Sequence, residues 1–154
     1  MKLRQLPLML AVVSAAIVLF TFTANAQSVS GGSAKGKASV CKEIDDNWKC
    51  VGGSAEWQAD QPFNVLFENP TPVGVNFIGI VIHQQDADGK DVKFIEEYQQ
   101  DMGEANRKYA TIGTELKLTA GTYSIYIIAW DKRETHDHNG NFKDYFAKTK
   151  LIVR

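Results

Sequence analysis

The sequence predicts an all-β domain in which antiparallel strands pack as a sandwich. Three observations carry that expectation. Along Glu115 to Asp131, ELKLTAGTYSIYIIAWD, the residues Leu116, Leu118, Tyr123, Ile125, Ile127 and Ala129 fall on one face of extended backbone. Near the end of the sequence, Tyr145, Ala147, Thr149, Leu151 and Val153 alternate in the same way. Between Val73 and Gln85 lies a run rich in Val, Ile and Phe, apolar on both faces near Phe77 to Ile82. Gly74 and Gly79, with the β-branching, favour a central strand there over a buried helix.

Taken in order, Met1 to Ala26 reads as a targeting segment. Lys2 and Arg4 precede an apolar run from Leu8 to Phe20, and Ala24-Asn25-Ala26 has the small-x-small pattern of a signal-peptidase site. The apolar run is shorter than the roughly 20 residues a membrane span needs. Cleavage is therefore expected before Gln27, with no stable membrane insertion afterwards, and no cysteine at the site suggests a lipid anchor. Residues 27–37, QSVSGGSAKGK, are too poor in apolar side chains to bury and read as a flexible leader. The β domain is expected over residues 38–154.

Charge excludes one class of partner. The 154-residue chain has 17 basic and 18 acidic residues, and cleavage of the targeting segment would remove Lys2 and Arg4. Nucleic acid needs concentrated Lys and Arg, so it is not an expected partner.

The two cysteines, Cys41 and Cys50, flank KEIDDNWK. In an oxidising compartment they are expected to staple a hairpin that turns at Asp45-Asp46-Asn47. The spacing is not C-x-x-C, which argues against a redox pair. Downstream, Phe63, Val65 and Phe67 alternate with polar Asn64 and Glu68, and Asn69-Pro70-Thr71-Pro72 ends that strand. Asp86 to Asp91, DADGKD, reads as a D-G hairpin turn rather than a calcium loop. With Gly89 at the sixth loop position, Gln84 and Ile95 would occupy the first and twelfth, where calcium requires carboxylates. Asp101 to Ala110 has no clear period. Gly121 is placed where the chain bends between a short strand and a core strand.

The pattern Leu116-x-Leu118-x-x-Gly121-x-Tyr123-x-Ile125-x-Ile127-x-Ala129 resembles the E–F corner and F strand of immunoglobulin-like and fibronectin type III-like domains. The resemblance implies an immunoglobulin-like antiparallel sandwich. It makes Tyr123 the corner tyrosine, whose hydroxyl bonds nearby upstream backbone, and residues 145–153 the last strand. The inter-sheet cysteine pair of that family is absent, since Cys41 and Cys50 are too close in sequence to replace it.

Chemistry-bearing residues are sparse. No G-x-S-x-G is present, and Glu96, Glu97, Asp101 and Glu104 read as a charged strand edge and loop rather than a catalytic carboxylate pair. No enzymatic activity is expected. The 131–144 segment, DKRETHDHNGNFKD, offers His136, His138 and Asp131 as ligands for zinc or copper. A solvated loop turning at Asn139-Gly140 explains the same residues, and otherwise no cofactor is expected. If Tyr123 faces inward, then Tyr126, Ile128 and Trp130 face outward, joined by Phe146 and Ile152 of the last strand. Exposed aromatics of this kind form recognition faces. The expected function is thus an exported non-catalytic binding module, periplasmic or extracellular, recognising a protein or carbohydrate partner. The alternatives are a soluble metal-binding protein using residues 131–144 and a periplasmic inhibitor or immunity-type protein.

Overall fold

The computed structural model describes residues 36–104, 107–114, 117–130 and 145–154. The targeting segment, the leader up to residue 35 and the whole 131–144 segment lie outside the described residues. Among those described, no helix is long and apolar enough to cross a membrane.

Among the described residues, ten strands follow one another: β1 (Lys37–Cys41), β2 (Glu43–Ile44), β3 (Cys50–Val51), β4 (Glu56–Trp57), β5 (Phe63–Glu68), β6 (Phe77–Gln85), β7 (Asp91–Asp101), β8 (Tyr109–Thr114), β9 (Gly121–Ala129) and β10 (Ala147–Val153). They form a three-stranded sheet in the order β1-β5-β8, a five-stranded sheet in the order β4-β10-β9-β6-β7, and the small β2-β3 hairpin. Every pairing is antiparallel except that of β4 with β10.

The two larger sheets share one core. Val40, Val65 and Phe67 meet Ile78, Ile80, Ile82, Ile125, Ile127 and Leu151 there, as the two-residue period of each strand requires. This arrangement is compatible with a β-sandwich. The central place expected for the 73–85 run is that of β6, which lies between β9 and β7. Ile78, Ile80 and Ile82 point into the shared core, while Val81 belongs to a second buried cluster on the opposite face. The strand itself begins only at Phe77. Before it, Val73 N–H donates to Arg107 O at 3.2 Å and Gly74 turns at φ 75°, so this stretch serves a loop and not a ladder.

The corner before β9 contains the expected tyrosine bond. The Tyr123 hydroxyl donates to Thr119 O at 2.9 Å, and its ring is buried in the core. Two details differ from expectation. The strand described before the corner is β8, at Tyr109–Thr114; residues 117–119 are not in a strand, and Leu116 lies outside the described residues. Leu118 is buried, but its carbonyl accepts from Asp60 N at 3.2 Å and is taken by a neighbouring loop. Gly121 opens β9 opposite Val153 instead of forming the bend. Close approach explains the glycine: a Cβ there would stand 3.2 Å from the Gln84 amide and 3.4 Å from the Tyr123 ring.

The β6-β7 turn is the expected D-G hairpin. Gly89 sits at φ 80°, and Asp86 Oδ1 accepts from the N–H groups of Asp88 and Lys90 at 3.0 and 2.9 Å. That carboxylate oxygen is occupied by its own turn.

Cys41 and Cys50 form the expected disulfide, with their Cα atoms 5.4 Å apart. It does not cross the rungs of the β2-β3 hairpin, where Ile44 faces Cys50. It ties β3 back to the end of β1 and so fastens the hairpin to the three-stranded sheet. Replacing both cysteines with alanine is expected to cost about 2–3 kcal/mol, read as a lowered urea midpoint, since the bond closes a short loop.

Candidate functional site

The outer face of the five-stranded sheet was the surface indicated by strand alternation. Ser124, Tyr126 and Ile128 do lie opposite the shared core, but this face is covered. Tyr126 is 4% exposed and Ile128 1%, and they pack with Val81, Tyr145 and partly buried Phe94. The fully buried His83 ring sits edge-on to Phe94 and Tyr126, at 5.7 and 6.1 Å. Trp130 is partly buried and folds against Gly79; a Cβ on Gly79 would come within 3.0 Å of Ile128 and 3.1 Å of Trp130.

Polar groups on this face are engaged with one another. The Tyr126 hydroxyl donates to the Asp91 carboxylate, and the Gln85 amide donates to Ser124 Oγ at 2.7 Å. Lys148 Nζ lies 4.6 Å from the Tyr126 ring centroid. Burial, then the hydrogen bond to Asp91 and its charge, push the Tyr126 hydroxyl well above its ordinary range. Burial raises Tyr145 as well.

Phe146 points the other way from expectation. Its ring lies 6.0 Å from Phe67 against the shared core, while Tyr145 joins Tyr126 on the outer face. β10 begins at Ala147, and the bend at Phe146 breaks the two-residue period just before it. Asp131, His136 and His138 lie outside the described residues. Among the described residues, no three His, Cys, Asp or Glu side chains are grouped to hold a metal ion.

The open aromatic surface lies on the other side of the fold. Trp48 and Tyr109 are each 43% exposed, with ring centroids 6.1 Å apart, and nearby Val51 is 46% exposed. Trp48 follows the hairpin turn, where Asp45 Oδ1 accepts from Asn47 and Lys49 N–H at 2.9 and 2.8 Å and Trp48 N–H donates to Asp45 O at 3.0 Å. The Asn64 amide donates to Lys42 O at 2.9 Å, securing the hairpin base to β5. Between hairpin and sheet, Glu43, Asp45, Asp46 and Trp48 line a concavity of about 480 Å³ with Asn64 and Thr111.

Trp48 holds φ 57°. That left-handed backbone suits glycine or asparagine and disfavours a bulky side chain. The sequence does carry a trace of this: a tryptophan stands beside turn formers inside a disulfide loop. Tyr109 has no such trace, because DMGEANRKYA lacks a period.

Compared with protein-family models and with curated proteins, the chain matches none.

Proposed function

We propose that this protein is an exported, immunoglobulin-like, non-catalytic binding module that recognises a protein partner through the aromatic face of its stapled hairpin. The neighbour orders β1-β5-β8 and β10-β9-β6 support the fold reading, since they correspond to the A-B-E and G-F-C neighbourhoods of that architecture, with Tyr123 at the start of F. The apolar run of the targeting segment and the disulfide support export.

The observation that carries the binding role is Trp48, an exposed indole kept at a backbone angle where glycine would be less strained. Stability alone does not select it. A large aromatic on a rigid, covalently fastened turn loses little conformational entropy on binding, which is the usual chemistry of a hot spot. The inhibitor reading uses the same surface and differs only in making the partner an exported enzyme.

Trp48→Gly separates binding from stability. The variant is expected to keep its melting stability within about 1 kcal/mol, because relieved backbone strain offsets the lost ring contact. Its affinity for a partner captured by the wild-type protein is expected to fall by about 2 kcal/mol or more, roughly thirtyfold. Equal capture by both proteins, measured by calorimetry on the purified pair, would remove this surface from the function.

A further inference from the structure

We propose that a second site, the cleft beside Trp57, binds one or two sugar rings of a neutral glycan. The cleft measures about 670 Å³, within the range of small-ligand sites. It opens where β4 runs parallel to β10, and Lys42, Glu56, Gln58, Gln61 and Arg154 line it with the indole.

Trp57 is held in place from two sides. Its ring stands edge-on to Phe63 at 6.2 Å, and its Nε1–H donates to Gln61 O at 3.2 Å. The loop that carries Gln58 and Gln61 is also pinned. Ala59 N–H donates to Arg154 O at 2.8 Å, Asp60 N–H to Leu118 O at 3.2 Å, and Asp60 itself holds a left-handed φ of 61°. A non-glycine residue in that region, beside a concave aromatic surface, is where a binding geometry is commonly built in advance.

The lining chemistry selects the ligand class. A sugar ring has an apolar C–H face surrounded by hydroxyls that both donate and accept. An indole meets the face, and planar amide, carboxylate and guanidinium groups meet the rim. Here Gln58 and Gln61 supply both donors and acceptors. Glu56 Oε1 and Arg154 Nη2, 2.8 Å apart, fix an acceptor beside a donor. Both side chains are more than half exposed, so the pair contributes little to folding. The mix of both charges suits a neutral ligand better than a phosphate. An apolar peptide would bury these polar groups without partners.

The test uses the oxidised, mature-length protein titrated with cellohexaose, maltohexaose and chitohexaose, followed by tryptophan fluorescence and by backbone amide NMR shifts. At least one is expected to bind with a dissociation constant below about 1 mM and to shift amides of residues 56–62 and Arg154. Trp57→Ala is expected to weaken that binding by about tenfold or more. Because Trp57 also packs against the core, Gln58→Ala/Gln61→Ala provides a variant that leaves the packing intact, and it should lose affinity to a similar degree. The Trp48→Gly variant should bind the sugar unchanged, which separates this site from the hairpin surface. No shift with any of the three sugars at about 10 mM, or equal binding by wild type and the glutamine variant, overturns the proposal.

Discussion

Tyr123→Ala is expected to lower the folding stability by about 3–5 kcal/mol. The ring is among the largest fully buried side chains and sits where β9 leaves the corner, packed with the core residues of both larger sheets. Alanine would leave a void that strands fastened on both sides cannot close. Tyr123→Phe keeps the ring and loses the hydroxyl's bonds to Thr119, to its O at 2.9 Å and its Oγ1 at 3.3 Å, so its expected cost is about 1 kcal/mol or more. Urea melts of the two variants should therefore differ severalfold in their loss. Equal losses would mean that the hydroxyl, not the ring, holds the corner.

Tyr126→Ala is expected to cost about as much from the ring alone, roughly 3–5 kcal/mol. About a further 1–3 kcal/mol follows because the buried Asp91 carboxylate loses its tyrosine donor. A residue on an open binding face would instead change stability by about 0.5 kcal/mol or less, so one melt decides between a covered and an uncovered outer face. The same hydroxyl gives a pH signature. Its affinity for its proton is raised in the folded chain, whereas an unfolded tyrosine ionises near pH 10. The unfolded state loses the proton first, so this contribution is complete below about pH 10 and declines as pH rises beyond it. Tyr126→Phe should flatten that alkaline decline, leaving the smaller share of Tyr145.

Strand identity was legible in the sequence wherever apolar side chains recur at every second residue. Phe63, Val65 and Phe67 gave β5, and Tyr123 to Ala129 gave β9, because side-chain direction has a fixed period in extended backbone. Apolar residues on both sides of Ile80 placed β6 in the interior of its sheet. Local pattern says which face a residue takes, but not what lies over that face. Tyr126 and Ile128 were therefore correctly oriented and wrongly expected to be open. Phe146 was assigned the wrong face because a single bend resets the period. The exposed pair of Trp48 and Tyr109 joins residues far apart in sequence, and it forms because the disulfide to β1 and the Asn64 bond from β5 hold the hairpin over β8. The Trp57 cleft likewise depends on a two-residue parallel pairing with β10 that no local period announces.

The self-contained turn between β6 and β7 also offers a way to watch the molecule work. Its residues are exposed, its N–H groups bond back to Asp86, and the Gln85 amide of β6 closes it on Gly89 O at 3.1 Å. The two cysteine sulfurs are joined to each other. A cysteine introduced at Asp88 would therefore be the single reactive thiol of the oxidised protein. A fluorophore coupled there would report tumbling and distance as each candidate ligand arrives, from a point where its own bulk strains nothing.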